Sequence, residues 1–263
     1  MIERNNIYKG DCAELLKQAE SDSIDLVVTS PPYDDLRTYG GDNFGWCFEK
    51  FKEIVPELYR VMKEGGVVVW IVNDKTVEGS KTLSSFKQAL EFKENGFLVN
   101  DVMIWRKTNV MPMFKRCRYT DCFEYMFVFS KGTPKTFNPL MVECKYGGKT
   151  YNSTAKVMGG ESGRRELNYE VNREKMRENI WDIAVAQNKT NHPAVFPAAI
   201  AKDHIESWSN EGDVVLDIFA GSGTTLMEAK RMRRDYIGFE ISDEFYELCK
   251  RRVDSVLVPH ALF

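Results

Sequence analysis

Ile24-Asp25-Leu26-Val27-Val28-Thr29-Ser30-Pro31-Pro32-Tyr33 is the stretch that decides how this chain is read. The β-branched apolar run from Ile24 to Val28 predicts a buried strand of a parallel sheet. The two prolines lack backbone donors and cannot continue a ladder, so the strand stops at Ser30. It thereby delivers a hydroxyl, a stiffly held Pro31 carbonyl and the Tyr33 ring to the carboxyl end of a sheet. That edge is where open α/β sheets bind ligands. Two acceptors beside an aromatic plane suit a planar heterocycle with an exocyclic amine: the amine hydrogens meet the acceptors and the ring stacks. An ordinary strand end followed by a proline turn explains the same four residues equally well, so a second stretch has to decide.

That stretch is Asp213-Val214-Val215-Leu216-Asp217-Ile218-Phe219-Ala220-Gly221-Ser222-Gly223-Thr224-Thr225. It predicts a strand, a glycine turn and a helix opening at Thr224. Gly221 and Gly223 let the backbone turn tightly and approach a ligand, and the helix start offers bare N–H groups. The third glycine of a dinucleotide fingerprint is absent, and no Gly-Lys-Ser/Thr follows as in a phosphate loop. One helix later, Tyr236-Ile237-Gly238-Phe239-Glu240 reads as a strand ending in an acid, at the spacing from which a carboxylate grips ribose hydroxyls. This half predicts a site for a nucleoside-bearing cofactor without a pyrophosphate.

Together the two stretches resemble the amino-group DNA methyltransferases that use S-adenosyl-L-methionine. Thr29-Ser30-Pro31-Pro32-Tyr33 is similar to their catalytic motif, and Phe219-Ala220-Gly221-Ser222-Gly223-Thr224-Thr225 to their cofactor motif. The catalytic motif comes first, as in the family's permuted β group. The likeness covers roughly residues 5–130 and 190–256. It implies a class I methyltransferase-like (Rossmann-like) α/β fold. The sheet is then mostly parallel and seven-stranded with helices on both faces, beside a small irregular target-recognition region. It also implies Ser30, Pro31, Pro32 and Tyr33 as the catalytic set. The implied cofactor residues are Asp11, Cys12, Phe196, Asp217, Phe219, Gly221, Ser222, Gly223, Thr224, Thr225 and Glu240. Asp11 would accept from the cofactor adenine; as a residue it is also simply a helix N-cap. Phe196, in His192-Pro193-Ala194-Val195-Phe196-Pro197, would pack on the methionine end.

The remaining chain fits one domain in three stretches. Residues 1–130 would carry the catalytic half, 131–190 a target-recognition region and 191–263 the cofactor half. The chain has 263 residues, 43% hydrophobic and 12% aromatic, enough for a packed core. No apolar run approaches a membrane span, and the polar start Met1 to Asn6 lacks a signal-peptide core. The six cysteines match no metal spacing and read as reduced thiols, so a cytoplasmic location is expected. Trp46 to Met62 has a helical period that Pro56 should kink or split, and Gly65-Gly66 should end it. Asp34 to Gly41, with Arg37, forms either a lid over the target or a plain surface loop.

Net charge is −3, so nucleic acid would need a local basic face. Two segments supply one. The link Arg106 to Cys122 carries Arg106, Lys107, Lys115, Arg116 and Arg118 with apolar tips at Met111 and Phe114. Residues 131–190 hold eleven Lys and Arg, including Arg164 and Arg165, against seven Asp and Glu. So long a structureless connection is uncommon unless functional. A solvated loop and a disordered insertion are the plain alternatives. The expected partner is double-stranded DNA. A cognate restriction endonuclease and a monomer or homodimer state stay open. In the family, Ser at the first motif position goes mostly with cytosine N4 and Asp mostly with adenine N6, so Ser30 favours cytosine. No Pro-Cys pair is present, and methylation at cytosine carbon 5 would need such a nucleophile.

Overall fold

The computed structural model describes residues 2–32, 45–112, 117–156, 164–185 and 196–257. In chain order the elements begin β1 (Asn6–Lys9), α1 (Cys12–Leu16), β2 (Ile24–Thr29), α2 (Phe48–Val61), β3 (Met62–Val72), β4 (Thr76–Val77) and β5 (Ser80–Lys81). Next come α3 (Ser84–Glu94), β6 (Leu98–Lys107), β7 (Phe123–Ser130), β8 (Met141–Glu143), β9 (Thr150–Lys156), β10 (Arg164–Glu170), β11 (Glu174–Met176) and β12 (Ile180–Ile183). The chain closes with α4 (Ala198–Trp208), β13 (Val214–Asp217), α5 (Thr224–Arg231), β14 (Asp235–Glu240) and α6 (Asp243–Asp254).

The strands divide the chain into two units, Met1–Asn138 with Asn179–Phe263, and Pro139–Glu178. In the larger unit one sheet runs β1-β14-β13-β2-β3-β7-β6-β12. Its pairings are parallel except β3–β7 and β7–β6. β2 lies inside this sheet and all six of its residues are buried, as a continuous apolar run requires. Successive strand side chains face opposite layers. Val27, Val68, Trp70 and Leu216 join a core with α1, α2 and Phe92 of α3. On the other face α4 lies on β2, and α5 on β13 and β14. Trp70 is fully buried and donates its indole N–H to Gln88 Oε1 at 2.7 Å, which satisfies its one polar atom.

Several expectations change here. Eight strands, not seven, form the described sheet. The extra one, β12, falls in the region assigned by composition to target recognition. It pairs parallel with β6, and buried Trp181 stacks on the His204 ring, 4.5 Å away. Such a pairing is tertiary and leaves no mark on composition. α2 runs through Pro56 as one helix and ends at Val61, before the glycines. Gly65 and Gly66 lie inside β3. Gly65 takes φ +76° and donates to Lys131 O at 2.6 Å. A Cβ on Gly66 would lie 2.9 Å from Lys63 O and 3.1 Å from Asp25 O. The glycines therefore allow close strand approach where the β2–β3 register slips, between Ile24 and Leu26.

The smaller unit spans 139–178, narrower than the 131–190 expected, and it has regular structure. β8 and β11 pair antiparallel, with Met141 opposite Met176. β9 and β10 form an antiparallel ribbon from Thr150–Glu170 to Lys156–Arg164. Among the described residues no helix is long and apolar enough to cross a membrane.

Candidate active site

β1, β14, β13, β2 and β3 are mutually parallel, so their carboxyl ends share one edge. Four neighbouring ends along it carry the residues singled out above. Asp11 follows β1; its Oδ1 accepts from the Ala13 amide at 2.9 Å, and its Oδ2 pairs with Lys50 Nζ. It is thus the N-cap of α1. Glu240 ends β14 and lies beside it, for Gly10 N donates to Glu240 O at 2.9 Å. The glycine turn follows β13. Ser30, half-buried, follows β2, with Pro31 buried behind it.

Asp217 joins the last two ends. Its Oδ1 accepts from Thr29 Oγ1 at 2.7 Å and from the Phe219 amide at 3.1 Å. Thr225 Oγ1 donates to Val28 O at 3.1 Å across the same junction. Two sequence stretches 188 residues apart are therefore bolted together one residue before Ser30. The carboxyl of Asp217, which the resemblance places among the cofactor residues, is fully buried and engaged with protein donors. Burial pushes that carboxyl up to about 6, against the opposing help of Thr29, Phe219 and Thr225.

The turn itself spends its amides internally. Ala220 N donates to Phe239 O at 2.9 Å, Gly221 N to Glu240 Oε2 at 2.8 Å and Gly223 N to Ala220 O at 2.7 Å. A phosphate nest needs those N–H groups free. Their use fits a nucleoside ligand lacking pyrophosphate. Glu240 also accepts from Ser242 N at 2.9 Å, and burial raises its carboxyl above the ordinary value. Each carboxylate oxygen can accept more than one bond, so Glu240 retains acceptor capacity for hydroxyls.

Gly223 is also constrained by packing. It takes φ +80°, and a Cβ there would lie 2.7 Å from Cys249 Sγ on α6. It is required for the packing of α6 against the turn. Gly238 does the same on β14, where a Cβ would meet Leu226 Cδ1 at 2.3 Å. Ser222, Thr224 and Thr225 are buried, and Ser222 O accepts from Arg252 at 2.5 Å. Phe219 is half-buried against Trp46, with ring centroids 5.0 Å apart. Phe196 is half-buried just ahead of α4. Cys12 is buried in α1 and its thiol is pushed up to about 12, first by burial. It is a small core residue, not a nucleophile.

The basic set divides. Arg106 and Lys107 belong to strand β6 rather than to a loop. Arg106 is paired with Asp182, and Lys107 with Glu124 at 2.6 Å in a largely buried site. Arg118 donates to Thr76 Oγ1 at 2.6 Å and to Gly79 O at 3.0 Å. All three are engaged within the protein. Arg164 and Arg165 stand opposite Lys156 and Ala155 in the ribbon. Tyr33, Arg37, Lys115 and Arg116 lie outside the described residues. The tie made by Thr29, the contacts of Lys50 and Trp46, and the packing role of Gly238 come from the tertiary structure. Only the last had a local signal, a glycine inside a strand.

Comparison with known proteins places this arrangement. A family profile described as DNA methylase matches residues 24–251. The orphan methyltransferase M.BamHII of Bacillus amyloliquefaciens is 48% identical over 249 residues, covering 90% of this chain and 91% of that protein. The solved PvuII DNA methyltransferase (cytosine-N4-specific) superposes with a TM-score of 0.71 at 22% identity, over 100% of this chain and 89% of that one. TTHA0409 of Thermus thermophilus, solved with S-adenosyl-L-methionine, gives 0.65 at 24% identity, over 97% and 96%. This chain belongs to the S-adenosyl-L-methionine-dependent DNA methyltransferases that act on amino nitrogens.

Proposed function

We propose that this enzyme methylates the exocyclic N4 amine of a cytosine flipped out of duplex DNA. The observation that carries the reading is Ser30, a neutral acceptor at the end of β2, fixed to the cofactor turn through Thr29 and Asp217. S-adenosyl-L-methionine supplies an electrophilic methyl on its sulfonium. Asp11 and Glu240, on adjacent strand ends, are the carboxylates that would hold its adenosine, and Phe196 would pack on the methionine portion. Ser30 Oγ and the Pro31 carbonyl would accept the two amine hydrogens. That favours a pyramidal nitrogen with an available lone pair, aligned for in-line attack. The methyl–sulfur bond would break as the methyl–nitrogen bond forms, the donor would leave as its neutral thioether, and the nitrogen would lose one proton to solvent, with orientation providing much of the acceleration. Tyr33 would stack on the extruded base and offset part of the few kcal/mol of lost pairing and stacking. No covalent enzyme intermediate is required.

Residues 139–178 serve in this reading as the target-recognition unit. A cognate restriction endonuclease acting at the same site is the natural counterpart of such an activity. Homologues of both base specificities occur, so the base has to be identified directly. DNA from a host expressing the chain would be digested to nucleosides and analysed by mass spectrometry. N4-methylcytosine is the expected product. N6-methyladenine would overturn the assignment to cytosine while leaving the amino-methyltransferase standing.

A further inference from the structure

Over Thr150 to Ser153 and Asn168 to Glu170, the β9–β10 ribbon has two chemically distinct faces. Directly opposed residues of an antiparallel pair share a face, and the face alternates along each strand. Register puts Tyr151 opposite Tyr169 on one face, beside Ser153. The other carries Thr150 with Glu170 and Asn152 with Asn168. The first is the more apolar, and its two tyrosine rings stack 6.1 Å apart. The second presents hydrogen-bonding residues there, with Asn152 and Asn168 both exposed.

We propose that this ribbon enters the major groove of duplex DNA and reads base edges through Asn152 and Asn168. The proposal rests on the duplex-DNA reading given above. A two-stranded ribbon fits a major groove about 12 Å wide. Seven residues per strand extend about 23 Å, enough to follow roughly seven base-pair steps. Asparagine side chains carry the donor–acceptor pair that matches adenine N6 and N7; Glu accepts from cytosine N4, and Lys or Arg donate to guanine. Charge points the same way. Residues 145–173 hold six Lys and Arg against three Glu, in a chain whose net charge is −3. At the ribbon's foot, Lys145 and Lys149 hold their ammonium groups 5.4 and 5.1 Å from the Tyr146 ring centre. The pairing continues past β9 there, since Val171 N donates to Lys149 O at 3.0 Å. Lys145 and Lys149 are therefore placed to meet phosphates flanking the base contacts.

The test uses the full chain. Methylated positions are first mapped in host DNA, and a duplex bearing the mapped site is compared with a scrambled duplex of equal length. Asn152→Ala or Asn168→Ala should weaken binding to the site duplex by about 10- to 100-fold. Binding to the scrambled duplex and to S-adenosyl-L-methionine should not change, and the mapped sites should broaden at particular positions. Asn168→Asp, close in shape, should lose the same discrimination. Lys149→Ala should weaken both duplexes alike and flatten the salt dependence. A wild-type chain that discriminates, with both alanine variants discriminating equally, overturns the ribbon assignment alone. A wild-type chain that binds both duplexes equally overturns the duplex-recognition reading and the ribbon with it.

Discussion

Asp217→Asn isolates the buried carboxyl that ties the catalytic strand to the cofactor turn. Asn has the same shape and keeps an acceptor for Thr29 Oγ1 and the Phe219 amide. What it removes is a titration. In the folded chain burial raises the Asp217 carboxyl from 3.8 to about 6. Between those values the folded state holds a proton that the unfolded state has released. The group's contribution to stability is therefore full below about 3.8 and is lost as pH rises through about 6. At 1.36 kcal/mol per pH unit, the whole loss is about 3 kcal/mol, and roughly half of it falls above pH 5. Urea denaturation followed by tryptophan fluorescence, on both proteins from pH 4 to 8, gives the two stability curves. The wild-type curve minus the variant's curve should fall by about 2–3 kcal/mol across that range, because other titrations cancel. A difference that stays flat or rises with pH would refute the reasoning. The hydrogen bonds from Thr29 and Phe219 would then outweigh burial, and the anion would be the favoured form in the fold.

Gly223→Ala should destabilise by about 1–3 kcal/mol, from a positive φ and the contact with Cys249; an unchanged melting temperature would show that α6 yields freely. Lys107→Ala should lower stability by roughly 3 kcal/mol, because it strips the partner from a largely buried Glu124. If stability holds and only DNA affinity falls, Lys107 is a phosphate contact after all. Ser30→Ala should reduce kcat by about 100-fold with cofactor affinity intact, as loss of one acceptor at the reacting amine implies. Steady-state kinetics beside cofactor titration checks this, and undiminished turnover removes Ser30 from the mechanism.

Much of the fold was legible because its signals are local. The run Ile24 to Val28 is apolar but for Asp25, which a strand buried on both faces explains, and β2 is such a strand. The turn Phe219 to Gly223 and the acid Glu240 declare a strand-turn-helix-strand unit through residues close in sequence. The misreadings concern contacts between distant segments. Gly65-Gly66 resembles a helix end, yet it lies inside β3, where Asp25 and Lys131 come close. Arg106 and Lys107 look like loop cations, but Asp182 and Glu124 hold them. β12 was hidden in a polar stretch because its partner, β6, supplies the reason for its existence.

Local pattern already specified the class of fold, the two motifs and their order, since periodicity, prolines and glycines act through the local backbone. It also determined the chemistry on offer at Ser30, Asp11 and Glu240, since that belongs to the side chains. Tertiary structure alone decided that the two motifs meet. The Thr29–Asp217 bond spans 188 residues, and nothing in either stretch specifies the other as its partner. It also decided what each glycine is for. A glycine's freedom is encoded locally, but the atom that would strike a Cβ, Cys249 at Gly223 and Leu226 at Gly238, arrives only when the helices pack.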